Sequence, residues 1–210
     1  MSKVTRRGIL GLGAAATSAL MLPTVSQAES KTATPWQTEG PFFPVHDQSD
    51  KDADMTMING RSVAALGEVV EIKGRILDTD GTPIAGALVD IWQANAAGRY
   101  AHESDPNTAP LDDNFQGWAR LVTDDDGRYS IRTIKPGAYP AEEGWVRPPH
   151  IHYKVARRGF KEITTQLYFK GDALNDIDRL LLAVPQPERD TLIADFSNGP
   201  AIFDVVLARV

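Results

Sequence analysis

The sequence predicts a mainly β fold: an antiparallel β-sandwich with long, chemistry-bearing loops and one or two short helices. Two observations carry this. Short stretches alternate apolar and polar residues with period two, and Gly/Asp-rich clusters punctuate them at short intervals. A third is that helix-like stretches are confined to one region near the C-terminus.

Taken in order, residues 68–77 alternate as a strand, with Val70, Ile72 and Gly74 on one side. Asp78-Thr-Asp-Gly-Thr-Pro83 is a turn in which Gly81 supplies positive φ. Residues 84–94 read as a second strand and 117–123 as a third, the latter ending at the turn Asp124-Asp-Asp-Gly127. Residues 128–134 set Tyr129, Ile131 and Thr133 against Ser130 and Arg132, and Lys135-Pro-Gly-Ala-Tyr-Pro140 ends that strand. Strands at 150–156 and 163–169 follow, short helices at 172–184 and 188–196 are separated by Pro185 and Pro187, and 201–210 closes the sheet. The irregular stretch 95–116 is long for a compact domain, and such loops are often functional.

Three segments are expected. Residues 1–28 read as an export signal: Lys3, Arg6 and Arg7 precede an apolar Gly/Ala-rich run, and Ser26-Gln27-Ala28 supplies small residues for cleavage. Thr5-Arg6-Arg7-Gly8-Ile9-Leu10 resembles a twin-arginine signal, so the expected location is periplasmic or otherwise exported, with no stable membrane span after cleavage. Residues 29–67 form an aromatic, proline-bearing arm, and residues 68–210 form the β-sandwich domain. The net charge of −6 and the lack of a Lys/Arg cluster argue against a nucleic-acid partner. With no cysteine in the chain, thiolate metal sites, disulfides and cysteine nucleophiles are excluded, so any metal must be held by His, Tyr, Asp or Glu.

The chemistry centres on Trp145-Val-Arg-Pro-Pro-His-Ile-His-Tyr153. On a strand, His150 and His152 share one face while Ile151 and Tyr153 take the other, so two neutral imidazoles can begin a metal site. A bare His-x-His is more often a surface pair. Tyr100, at the start of the long loop, and Tyr139, in the Pro-rich turn, sit where core tyrosines are less expected, and a phenolate is a hard donor suited to ferric iron. His46 reads as solvated, and His102 ranks below His150 and His152 as a ligand because nothing pairs with it at strand spacing.

With these residues in place, the chain resembles the intradiol ring-cleavage dioxygenases, most closely the protocatechuate 3,4-dioxygenase type with its iron-binding beta chain. The matching stretches are Asp90-Ile-Trp-Gln-Ala-Asn95, Gly98-Arg-Tyr100, Thr133-Ile-Lys-Pro-Gly-Ala-Tyr-Pro140, Arg147-Pro-Pro-His-Ile-His152 and Thr165-Gln-Leu-Tyr-Phe169. The resemblance implies Fe(III) held by Tyr100, Tyr139, His150 and His152. It also implies an active-site arginine at Arg147, a glutamine near the reacting ring at Gln166, and Trp92 lining the site. The implied partners are a small catechol and O2, with the catechol displacing Tyr139 as it binds and Arg147 stabilising charge on the ring, which opens to a cis,cis-muconate.

Gln37-Thr-Glu-Gly-Pro-Phe42 resembles a segment that walls the substrate pocket in two-chain relatives. Gly40 and Pro41 are therefore expected to contact substrate, within one chain or across a homo-oligomer interface. Ala141 stands where protocatechuate enzymes commonly carry tryptophan, which leaves the choice of catechol open. Two rival readings are a cupin-like metalloenzyme and a non-catalytic binding sandwich. The cupin pattern fails after His152, where no Glu or further His follows at the required distance, and the binding-sandwich pattern covers only the first strands.

Overall fold

The computed structural model describes residues 30–210, so the export signal read in residues 1–28 lies outside it. Its first sheet is built on β1 (Val69–Asp78). The second sheet contains β2 (Leu88–Trp92) and β3 (Trp118–Val122). β4 (Arg128–Ile134) returns to pair antiparallel with β1. A short hairpin, β5 (Tyr139–Glu142) and β6 (Trp145–Arg147), leads into β7 (His150–Ala156) and β8 (Ile163–Phe169). After one turn of helix, α1 (Arg179–Leu182), the chain ends with β9 (Ile193–Ala194), β10 (Ala201–Ile202) and β11 (Val205–Leu207). The second sheet runs β3-β2-β7-β8-β9, with β7 at its centre.

The two sheets face one another across a single core. Ile72, Ile76, Tyr129 and Ile131 from the first sheet meet Val89, Ile91, Ile151, Tyr153 and Leu167 from the second. Their alternation follows from the pleat, which sends every second side chain inward. On β1 the solvent-facing residues Glu71 and Lys73 separate the buried Val70 and Ile72 as the sequence anticipates.

Several elements depart from the sequence reading. The sandwich is not wholly antiparallel, because β10 and β11 pair parallel with β1, and β9 pairs parallel with β8. The strand expected over 84–94 is cut to five residues: Ile84 N–H donates to Ile76 O (2.8 Å) and Ala87 N–H to Thr123 Oγ1 (2.9 Å), so their backbone donors are spent in a turn. The helices expected over 172–184 and 188–196 shrink to α1 and two 3-10 turns, Ala173–Asp176 and Glu188–Leu192. Two successive side-chain caps, Asp172 to Leu174 N–H and Asp178 to Leu181 N–H, start new turns and split the first segment. The closing strand is interrupted where Phe203 N–H donates to Lys73 O (2.9 Å) and the Asp204 carboxylate accepts from Arg75 N–H (2.8 Å). Tyr139 starts a strand rather than sitting in a turn.

The long stretch 95–116 carries no strand or helix, as expected, but it is well ordered by its own side chains. Asn95 Oδ1 accepts from Ala97 and Arg99 N–H, and Asn107 Nδ2 donates to Gly98 O (2.8 Å). The arm lies on its own domain. Thr34 and Gln37 N–H donate to Val206 O (3.0 Å) and Thr164 O (2.8 Å), and Thr165 Oγ1 donates to Pro35 O. Among the described residues no helix is long and apolar enough to cross a membrane.

Ile151 is fully buried on the core face of the central strand. Replacing it with alanine is expected to cost about 2–5 kcal/mol of stability, the range for deleting a large aliphatic side chain from a packed core, as read from the shift in a urea-unfolding midpoint.

Candidate active site

The β7 pleat sets the site. His150 and His152 share the face opposite the core, both almost completely buried, while Ile151 and Tyr153 enter the core. The surface-pair reading is therefore excluded by burial alone. Register then brings neighbours to the same face: Trp92 on β2 and Gln166 on β8 lie beside His152, and Tyr168 lies beside His150. Trp92 stacks on His152 with ring centres 4.7 Å apart and planes within 11°.

Tyr100 and Tyr139 reach this face from separate segments. Gly98 has φ +77°, and any Cβ there would overlap the Ala138 carbonyl, so only glycine lets the long loop lie against the start of β5. The two phenol rings meet edge to face at 5.5 Å. Tyr100 Oη lies 3.0 Å from His152 Nε2 and 3.4 Å from His150 Nε2, and Tyr139 Oη lies 3.5 Å from His150 Nε2.

Hydrogen bonding fixes the tautomer of His150. Its Nδ1 is 2.7 Å from Pro148 O, which can only accept, and its Nε2 is 3.1 Å from Arg147 Nη1, which can only donate. The Nε2 lone pair therefore points into the cluster. Burial, with the Arg147 charge adding to it, holds both imidazoles neutral, well below the ordinary histidine range. Burial also pushes the Tyr100 phenol well above its ordinary value, and that of Tyr139 upward.

This donor set fits a trivalent metal. Donor separations of 3.0–3.5 Å are those of ligands sharing one ion through bonds of about 2 Å. A cation is also what would offset the cost of ionising two buried phenols. Among the described residues no group of three or more His, Asp or Glu could hold a metal.

Arg147, at the end of β6, is fixed by residues the sequence reading did not single out. Its Nε and Nη2 donate to the two carboxylate oxygens of Asp178 (3.0 and 3.2 Å), and Nη2 also donates to Tyr168 Oη (2.8 Å). Burial opposes the Arg147 charge, but Tyr168 and the Asp178 carboxylate outweigh it and raise its pKa further. Tyr168 Oη in turn lies 3.1 Å from both Gln37 Oε1 on the arm and Gln166 Oε1. Gln166 Nε2 donates to Thr38 O (2.9 Å), so Gln166 braces the arm beside the ligand cluster. In the sequence, Tyr168 stood only within the matched stretch 165–169, and Asp178 only inside the helix expected over 172–184. Nothing in the sequence linked either to Arg147.

The arm closes one side. Phe42 packs on Tyr100 at 4.7 Å and Phe43 on Trp92 at 4.9 Å. Gly40 and Pro41 line a cavity of about 450 Å3 together with Tyr139, Arg147 and His152. All the residues singled out in the sequence therefore converge here, except the two set aside as weaker ligands. His46 is exposed, 3.7 Å from Glu103. His102 accepts from Ser104 N–H, and its ring centre lies 5.8 Å from that of Phe42.

A family model described as Dioxygenase matches residues 38–202. Among characterised proteins, the chain is 42% identical over 179 residues to the protocatechuate 3,4-dioxygenase beta chain of Burkholderia cepacia, covering 80% of this chain and 76% of that one. It is 37% identical to a hydroxyquinol 1,2-dioxygenase of Rhizobium sp. (strain MTP-10005), covering 68% of this chain and only 56% of the relative. Among solved structures, the dioxygenase domain of a dioxygenase carbohydrate-binding protein fusion from Streptomyces sp. SirexAA-E superposes with a TM-score of 0.62 at 30% identity, over 85% of this chain and all of that one. The 3-chlorocatechol 1,2-dioxygenase of Rhodococcus opacus 1CP gives 0.67 at 26% identity, over 87% and 75% of the two chains.

Asp178 is fully buried and carries the only carboxylate that pairs with Arg147 among the described residues. Asp178→Ala is expected to cost about 3–5 kcal/mol of stability, because it strands a buried guanidinium; chemical denaturation reads this directly.

Proposed function

The chain belongs to the intradiol ring-cleavage dioxygenase family, and from that premise we propose that it opens a catechol ring between its two hydroxylated carbons, using O2 at a non-haem Fe(III) centre. The product is a cis,cis-muconate-type diacid. The observation that carries this reading is the convergence of two phenol oxygens and two imidazole nitrogens on one buried point. Tyr100, Tyr139, His150 and His152 would hold the iron. When bound, ferric iron supplies Lewis acidity that favours the phenolate and catecholate forms and prepares the ring for O2.

The chain's own groups divide the remaining work. Tyr139 lines the cavity and is the less buried of the two phenols, at 8% against 3% for Tyr100. Its Oη is thus the base placed to take a proton from an incoming catechol hydroxyl. Arg147, held rigid by Asp178 and Tyr168, keeps a permanent positive charge beside the oxygens of the bound catecholate and stabilises negative charge as it spreads into the ring. Trp92, Phe42 and Phe43 pack over the ligand cluster and exclude bulk water, which strengthens that electrostatic effect. Gly40 and Pro41 supply a wall of the substrate cavity from the same chain. Residues 1–28 support an exported enzyme that folds, and takes up its metal, before translocation.

The purified iron-loaded protein is expected to be coloured by phenolate-to-iron absorption. Tyr100→Phe and Tyr139→Phe should each weaken that absorption and lower oxygen uptake with catechols by at least about a hundredfold, the scale of losing a positioned base. A colourless iron-loaded protein with a spectrum indifferent to both changes sinks the tyrosinate assignment. Removing residues 29–45 should raise KM for catechols or abolish turnover; unchanged steady-state kinetics in a folded protein would show that the arm has no part in the pocket.

A further inference from the structure

The cavity over the site grades from a buried floor to an exposed mouth. Tyr139, Arg147 and His152 are buried, whereas Ala141 and Glu142 are exposed. On the dioxygenase reading, on which this inference rests, a catechol enters with its two oxygens toward the floor. Any group on the far side of the ring then projects into the mouth.

That mouth is acidic. Glu39, Asp105 and Glu142 line it, and the only permanent cation in the lining is Arg147. Arg147 lies at the buried floor, where its guanidinium is held by Asp178 and Tyr168. Two of the mouth carboxylates already hold cations from outside the lining: Lys154 is 2.8 Å from Glu39, and Arg179 is 3.2 Å from Glu142 and stacked over Trp145. Asp105 has no Lys or Arg within salt-bridge distance among the described residues; its oxygens accept from the backbone N–H groups of Tyr100 and Asn107. The remaining lining is largely apolar, with Phe42, Pro106, Pro140 and Leu180 among it.

We propose that this site takes catechols whose ring substituent is uncharged and discriminates against those bearing a ring carboxylate, protocatechuate included. A carboxylate in the mouth would lose water beside three carboxylates, of which Asp105 has no cationic partner among the described residues, and would gain no free cation. Specificity by repulsion of this kind needs no added contact to the favoured substrate. The volume of about 450 Å3 falls in the range of roughly 300–1,000 Å3 that accepts drug-sized ligands and exceeds what a bare dihydroxybenzene fills. An uncharged substituent of some length therefore fits, and the single methyl of Ala141 leaves the exit clear.

The test compares 4-methylcatechol with protocatechuate, which differ chiefly in charge, on the full iron-loaded enzyme. Oxygen uptake gives kcat and KM for each, and anaerobic titration gives binding without turnover, separating pocket repulsion from the slower chemistry of an electron-poor ring. The expected result is at least about tenfold weaker binding of protocatechuate, a modest share of the cost of juxtaposed like charges, narrowing as salt is raised. Glu142→Gln, an exposed change, removes one repelling charge and frees Arg179, and should move the binding ratio severalfold toward protocatechuate. Protocatechuate binding as tightly as 4-methylcatechol, or a ratio unmoved by both salt and Glu142→Gln, overturns the inference while leaving the dioxygenase intact. If neither catechol nor any simple derivative is consumed, the dioxygenase reading falls, and the inference falls with it.

Discussion

The pleat of one central strand governs this protein, because β7 must satisfy two environments at once. Its odd-numbered residues Ile151, Tyr153 and Val155 seal the sandwich, while His150 and His152 are held on the opposite face between β2 and β8. A shift of one residue in register would exchange the imidazoles for core side chains and destroy both core and site together. The two functions are thus coupled through geometry: the hydrophobic effect that fixes the core also fixes the register that aligns Trp92, His152 and Gln166 in one row.

Around that row the structure places polar groups that are costly to bury and therefore must be paired. Arg147 is the clearest case. Its guanidinium is almost fully enclosed, and Asp178 returns both hydrogen bonds and the compensating charge. The same carboxylate caps α1, so the short helix is placed by a group whose first partner is the site. Tyr168 extends the network to Gln37 and Gln166, joining the arm to the arginine through a continuous set of hydrogen bonds. Such a network is stiff because breaking any member leaves a buried group unsatisfied. Rigidity at Arg147 suits the electrostatic role proposed for it, since a charge that must reorganise forfeits part of its effect.

The arm completes the enclosure. Its backbone adds to the edges of both β8 and β11, and its phenylalanines cover the aromatic cluster of Trp92, Tyr100, Trp118 and Tyr139. One polypeptide therefore supplies both the ligand cluster and the wall carrying Gly40 and Pro41. The same wall brings Glu39 to the mouth, so the arm contributes to the charge of the cavity as well as to its shape.

By itself, the sequence determined the sandwich class, the limits of β4, β7 and β8, and the set of candidate ligands. These are legible because period-two alternation and His-x-His spacing are local consequences of the pleat, and because the motifs around Tyr100, Tyr139 and Arg147 are specific in combination. Tertiary structure alone decided the rest. The parallel pairing of β9, β10 and β11, and the breaking of the expected helices by two successive aspartate caps, depend on which backbone donors are already taken. The pairing of Arg147 with Asp178 spans 31 positions in sequence, and the link from Tyr168 to Gln37 spans 131. No local pattern encodes such contacts, because they arise only when burial forces distant polar groups to satisfy one another.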